Sequence, residues 1–223
     1  MRLIFLGAPG SGKGTQAKLL AQKLNLDHIS TGDILRKAID KDTEIGKMAR
    51  TYMDAGQYVP DDIVLGLIKE ELTKRNKGFI FDGFPRTLPQ AEGLDHVLEE
   101  LGTGITRVIN LVLDDASIIK RLSARRICRA NGHEFNLITK PPKRDGICDI
   151  DGSELYMRSD DCADVINKRL KVYYEKTKPV EEYYRSRGLL IDTDGDRGFD
   201  EVFSSVVSAV TRKDDSIQIS PRN

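Results

Sequence analysis

The sequence predicts an α/β fold, a doubly wound parallel sheet of five strands with helices on both faces. Three observations lead there. Apolar runs of strand length recur at residues 3–6, 27–29, 78–81, 108–113 and 189–191. Helical patterns separate them, and strands that alternate with helices pair in parallel because each crossover helix returns the chain in the same direction. The first run leads straight into Gly7-Ala8-Pro9-Gly10-Ser11-Gly12-Lys13-Gly14-Thr15, and a helix-forming pattern opens at Gln16.

That glycine-rich run has the spacing G-x-x-x-x-G-K of a phosphate-binding loop. Its glycines accept the unusual dihedrals that let successive N–H groups converge on one anion, and the following helix N-terminus adds a positive dipole end. Gly10, Ser11, Gly12, Lys13, Gly14 and Thr15 are therefore the expected phosphate cradle, with Lys13 as point charge for the outer phosphates of a nucleotide. Gly14 stands where the general motif has Ser or Thr, and Thr15 comes one place later. The usual metal-bound hydroxyl is thus not supplied in the usual way.

The remaining elements follow in order. After the run at 27–29, Ser30-Thr31-Gly32-Asp33 supplies capping residues for a first insertion, 30–59, which reads as two short helices ended by Gly56 and Pro60. The run at 78–81 leads into Asp82-Gly83-Phe84-Pro85-Arg86-Thr87-Leu88-Pro89-Gln90. In a doubly wound sheet that segment emerges at the carboxyl edge beside the phosphate loop. Asp82 is there the expected holder of a magnesium ion through water, since Mg2+ keeps most of its waters and takes few protein ligands; its other reading is a helix cap. A second insertion, 124–161, carries Asn131-Gly132, Pro141-Pro142, Asp145-Gly146 and Asp151-Gly152, the turn density of a small β-rich module. Asp160-Asp161 then starts a long helical pattern through Val165, Leu170, Tyr173 and Tyr174, interrupted near Pro179. The sequence thus divides into a core of residues 1–29, 60–123 and 162–212, the two insertions, and a polar, flexible tail at 213–223.

At 223 residues and 39 % hydrophobic the chain can bury a full core, and Lys+Arg and Asp+Glu both total 35. A net charge of zero gives no reason to expect nucleic-acid or membrane binding, so any anion site is local. Strand-like residues start at Arg2, and no apolar run approaches the ~18 residues of a membrane span. Three cysteines, Cys128, Cys148 and Cys162, are too few and too oddly counted for a disulfide framework. The expectation is a cytoplasmic protein.

Arg36, Arg86, Arg121, Arg125, Arg158 and Arg169 recur at the ends of elements flanking the insertions. Phosphoryl transfer needs this kind of charge and little covalent chemistry from the protein, and guanidinium forks match phosphate oxygens two at a time. Together with the glycine loop, Ser30-Thr31-Gly32-Asp33, Asp82-Gly83-Phe84-Pro85-Arg86-Thr87 and the pair Arg125-Arg126, they give a chain that resembles the adenylate kinase family of nucleoside monophosphate kinases from Arg2 to about Val210. The long second insertion is similar to that of the long-lid bacterial form, and the Gly14-Thr15 pattern is this family's version of the loop.

The resemblance implies reversible, magnesium-dependent phosphoryl transfer from ATP to AMP, giving two ADP, by a monomer. It implies that the core binds ATP, that 30–59 binds AMP and that 124–161 is a lid. Thr31, Arg36, Val59, Gly83, Arg86 and Gln90 would hold AMP, the Gln90 amide reading the adenine edge. Lys13, Arg121 and Arg125 would hold ATP, with Phe135 and the Arg197 backbone near its base, while Arg158 and Arg169 would bridge AMP and the transferred group. Lys13, Arg86, Arg125, Arg158 and Arg169 are the expected catalytic set.

Within the second insertion, Cys128-x4-His133-x14-Cys148-x2-Asp151 places four potential ligands around two turns. Two thiolates, an imidazole and a carboxylate suit a closed, structural zinc site; the alternative is a hydrogen-bonded polar cluster without metal. Similar kinases carry Cys-x2-Cys in the first knuckle, where this chain has Asn131 in the second cysteine position and His133 two residues on. Two further readings stay open for the whole chain. One is a UMP/CMP-type kinase, which generally has a short lid. The other is a phosphate-loop switch, which needs Ser or Thr directly after the lysine.

Overall fold

The computed structural model describes residues 1–75 and 77–211. The tail expected at 213–223 lies outside the described residues. Strand β1 (Arg2–Gly7) carries Leu3, Ile4, Phe5 and Leu6, none more than 2 % exposed, so it is covered on both faces, as a central parallel strand must be. Helix α1 (Lys13–Leu24) starts at Gly12, whose φ of 91° only glycine adopts without strain. After β2 (Asp27–Ser30), Ser30 Oγ accepts the Asp33 N–H at 3.2 Å and so caps α2 (Thr31–Asp40). Thr43 caps α3 (Glu44–Asp54) in the same way. Then come α4 (Asp61–Thr73), β3 (Phe79–Asp82), α5 (Leu88–Glu100) capped by Thr87, β4 (Arg107–Val112) and α6 (Asp115–Ser123) capped by Asp114. Strands β5 (Arg125–Cys128), β6 (Glu134–Asn136) and β7 (Leu155–Tyr156) follow. A 3-10 turn at Ser159–Asp161 leads to α7 (Ala163–Val172), a π-turn at Tyr173–Thr177, α8 (Lys178–Arg185), β8 (Leu190–Asp194) and α9 (Phe199–Thr211).

Five strands form one parallel sheet in the order β2-β3-β1-β4-β8, and β5–β7 form a separate antiparallel sheet with β5 central. The first is the predicted doubly wound sheet. Side chains alternate across it with the two-residue period of a strand. Ile4 and Leu6 pack with Phe81, Leu94 and Val108 on one face, whereas Leu3 and Phe5 pack with Leu20, Ile80, Ile109 and Val206 on the other. The chain passes from β1 toward β2 on one side, the later connection from β3 to β4 crosses β1 to the other, and the loops after β1 and β3 emerge side by side at the carboxyl edge.

Three details differ from the sequence pattern. Strand β8 runs on through Asp192, Thr193 and Asp194, beyond its apolar run, because Asn110, Leu111 and Val112 of β4 pair with them. Helix α7 begins at Ala163 rather than at Asp160-Asp161, since the Asp161 carboxylate is taken by two arginines and is not available as a cap. The interruption near Pro179 is a π-turn ending two residues earlier, with the proline in the first turn of α8, where its missing N–H costs nothing.

Candidate active site

The phosphate loop connects β1 to α1, and its glycines answer to the space around them. A Cβ at Gly7 would stand 2.6 Å from the Leu111 carbonyl oxygen. A Cβ at Gly14 would stand 3.0 Å from Asp82 Oδ2, so a Ser or Thr directly after the lysine would press on that carboxylate. The hydroxyl instead comes at Thr15, whose Oγ1 donates to Glu134 Oε2 at 3.3 Å. Lys13 is half-buried, lining both chambers, and its Nζ donates to the Ala8 carbonyl at 3.0 Å. Burial lowers its pKa to about 8; Arg86, Arg169 and Arg125 act in the same direction, and Asp82 opposes them. Burial acts to raise the Asp82 carboxyl, but contact with His28, whose Nε2 lies 3.5 Å away, and the Lys13 charge outweigh it and hold it below the usual carboxylate range.

Two cavities meet at this loop. The larger, of about 440 Å³, is lined by Gly10, Ser11, Gly12, Lys13, Gly14, Thr15, Asp82, Arg121, Arg125, Phe135, Arg158 and Arg197. The smaller, of about 100 Å³, is lined by Thr31, Val59 and Gln90, together with Tyr58, Tyr173 and Thr177. Lys13, Arg36, Gly83, Arg86 and Arg169 line both. Every residue expected at a nucleotide site is thus brought to one of two adjoining chambers, and Lys13, Arg36, Arg86 and Arg169 lie along their common wall. Phe135 is buried and also packs with Cys128, Cys148 and Leu155 in the core of the small sheet. The Gln90 amide is half committed: its Oε1 accepts the Arg86 N–H at 2.7 Å and its Nε2 donates to Asp61 Oδ1 at 2.7 Å, leaving one N–H and one lone pair for a ligand.

The arginines are held by carboxylates that sequence spacing did not single out. Arg125 makes a two-pronged pair with the fully buried Asp161 at 2.7 and 2.6 Å, and Arg169 reaches the same carboxylate at 3.0 Å and Asp160 at 3.1 Å. Arg36 pairs with Asp33 at 2.6 Å, and Arg158 with Glu134 at 3.5 Å. Burial brings the Arg158 pKa down to about 10, helped by the charges of Arg36 and Arg125. At the outer rim Arg121 pairs with Asp196 at 3.4 Å and Arg197 with Asp194 at 3.0 Å. Asp33 stood out in the sequence as a capping residue and Asp160 and Asp161 as helix-starting residues; Asp33 and Asp194 stand three residues before their arginines, but nothing in the spacing tied Glu134, Asp160, Asp161 or Asp196 to theirs.

The four predicted metal ligands also converge. One ligand atom from each of Cys128, His133, Cys148 and Asp151 lies within 4.8 Å of all the others. Asp151 Oδ2 is 3.1 Å from Cys128 Sγ and 3.2 Å from His133 Nδ1, and His133 Nδ1 is 3.4 Å from Cys148 Sγ. Ligands at zinc-bond lengths around a tetrahedron stand about 3.3–3.8 Å apart, so the donors present fit such an ion. Ser153 and Asn131 close the cluster from outside, Ser153 Oγ 2.9 Å from Cys128 Sγ and Asn131 Nδ2 donating to Asp151 Oδ2 at 2.8 Å.

A glycine loop gripping one end of a doubly wound crevice, and two chambers sharing a wall of half-buried cations, define a phosphate-loop phosphotransferase. The family model described as Adenylate kinase matches residues 5–189. An adenylate kinase of Caldicellulosiruptor bescii is 48 % identical over 212 residues, covering 94 % of this chain and 99 % of its own. Those of Methanocella arvoryzae (48 % over 214 residues, 95 % and 99 %) and Archaeoglobus fulgidus (49 % over 208 residues, 92 % and 96 %) are similarly alike. The chain belongs to the adenylate kinase family. Among the described residues no helix is long and apolar enough to cross a membrane.

Proposed function

We infer that the protein transfers a phosphoryl group between MgATP and AMP, forming two ADP, and that it does so reversibly. The observation that carries this reading is the pair of chambers joined along Lys13, Arg86 and Arg169, since end-to-end nucleotides need their phosphates to meet at one charged wall. In this reading Gly10 to Thr15, with Arg121, Arg125, Phe135 and Arg197, hold ATP in the larger chamber. Thr31, Arg36, Val59, Gly83, Arg86 and Gln90 hold AMP in the smaller one, and Arg158 and Arg169 reach both sides of the transferred group. Residues 30–59 act as the AMP-binding insertion and 124–161 as the lid over a core of 1–29, 60–123 and 162–212; the enzyme works as a cytoplasmic monomer.

The catalytic set is Lys13, Arg86, Arg125, Arg158 and Arg169, and its work is electrostatic. Fixed ammonium and guanidinium groups in a water-poor chamber stabilise charge that spreads over the moving phosphoryl more than they stabilise either ground state. Magnesium, bound with the nucleotide, supplies further neutralisation of phosphate charge. Asp82, ionised and next to Lys13, fits the role of holding its water shell. Exclusion of water leaves the AMP phosphate as the only acceptor.

The lid cluster is read as a structural zinc site, with Ser153 and Asn131 orienting its ligands from outside. Those same two contacts also favour a second reading, a polar knot without metal. Elemental analysis of untagged protein purified without added zinc separates them: about one zinc per chain supports the first, none overturns it. The activity itself is tested by incubating the protein with ATP, magnesium and each nucleoside monophosphate in turn. AMP is expected to be the preferred acceptor; preference for CMP or UMP would replace the reading with a UMP/CMP kinase, and tight GTP binding without transfer to AMP would replace it with a switch.

A further inference from the structure

Three segments far apart in sequence meet at one wall of the smaller chamber. Tyr58 lies between α3 and α4, Arg86 follows β3, and Thr177 is the last residue of the π-turn between α7 and α8. Thr177, 4 % exposed, donates from Oγ1 to the Arg86 carbonyl at 2.9 Å, and the Tyr58 hydroxyl lies 2.8 Å from the same Oγ1. A carbonyl only accepts, and Thr177 has one proton to give. The chain of bonds therefore has one polarity: Tyr58 O–H to Thr177 Oγ1, Thr177 O–H to Arg86 C=O. The Tyr58 ring is also stacked by the Arg86 guanidinium, 5.0 Å from its centroid, a geometry that attracts a cation to the ring face. Arg86 is further tied by its N–H to Gln90 Oε1 and by Nε to the Gly83 carbonyl, each at 2.7 Å.

We propose that Tyr58 and Thr177 are positioning residues that aim Arg86 at the acceptor phosphate. Gln90 fixes the Arg86 N–H and Thr177 its carbonyl, so the backbone at this residue has no free polar group. The Gly83 carbonyl and the Tyr58 ring then confine the guanidinium plane, leaving its terminal nitrogens for phosphate oxygens. The role of the π-turn is to bring the Thr177 hydroxyl into register with this wall. The inference rests on the smaller chamber being the AMP site, and Tyr58 and Thr177 act on the phosphate end of AMP, through Arg86.

The test compares AMP with adenosine, which lacks the phosphate, by calorimetry on wild type, Tyr58→Leu, Thr177→Val and Thr177→Ser, with KM for AMP and for ATP measured on each. Tyr58→Leu and Thr177→Val are expected to weaken AMP binding about tenfold, with adenosine binding and KM for ATP within twofold of wild type. Thr177→Ser, which keeps the hydroxyl, restores AMP affinity to within twofold. Equal losses for AMP and adenosine, or an unchanged AMP-to-adenosine ratio in both variants, overturn the positioning role whatever the melting temperatures do. Failure of wild type to phosphorylate AMP overturns the parent reading instead, and the binding ratio still judges this one.

Discussion

Lys13 carries the sharpest expectation for a single residue. Its ammonium is held near three arginines, and desolvation first, then their charge, lowers its pKa to about 8 from 10.5 against the opposing charge of Asp82. Between those values an unfolded chain keeps the proton that the folded one has released, so the Lys13 contribution to stability of the unliganded protein rises as pH climbs through about 8. Polyphosphate affinity runs the other way and falls as pH rises past the same value, which calorimetry with ATP across that range measures. Lys13→Met is expected to lower kcat by about 100-fold or more while leaving the unliganded protein at least as stable. Gly14→Ser tests the steric account of the loop: its Cβ meets Asp82 Oδ2 at 3.0 Å, so ATP affinity should fall while AMP affinity holds.

At the scale of elements, Asp161 is the carboxylate on which two site arginines depend, because it ties Arg125 at the start of β5 to Arg169 on α7. Removing one partner of a buried pair leaves charge uncompensated, and Asp161→Ala should cost about 3–5 kcal/mol in urea unfolding. The sheet and the phosphate loop were legible in the sequence because their signals are local. Glycines at 7, 10, 12 and 14 and apolar runs of strand length sit within a few residues of what they specify. The cap at Ser30 was legible for the same reason. Pairings such as Arg125 with Asp161 or Arg158 with Glu134 span tens of residues and arise only when the strands of the small sheet fold back. The π-turn was visible only as an interruption, since Pro179 marks where a helix must restart and not what fills the gap before it. The polar end of β8 was hidden because its strand character comes from β4.

For the whole molecule, the two insertions are tied to the core by Tyr58 to Thr177 at 2.8 Å and by the pairs of Asp160 and Asp161 with Arg169, and are tied to each other more weakly. Thr15 reaches Glu134 at 3.3 Å, and Ser159 reaches Asp54 at the end of α3 at 2.9 Å, an exposed bond. The exposed bond between the two insertions contributes little, so occupancy of both chambers should govern how firmly they stay together. A two-headed inhibitor with an adenosine at each end of a phosphate chain is expected to stabilise the protein by about 4 kcal/mol at 1,000 times its Kd. It should also raise the melting temperature more than ATP or AMP alone at the same multiple of Kd, and a scanning calorimeter reads the difference.

The acids that line the chambers have an effect on turnover. Asp33, Glu134 and Asp160 already occupy guanidinium forks that phosphate oxygens need. An arriving nucleotide swaps one anionic neighbour for another, and a departing one is replaced by a resident carboxylate waiting within a few ångströms. On the proposed reading each exchange offsets part of the binding energy, which favours product release from a site this rich in cations.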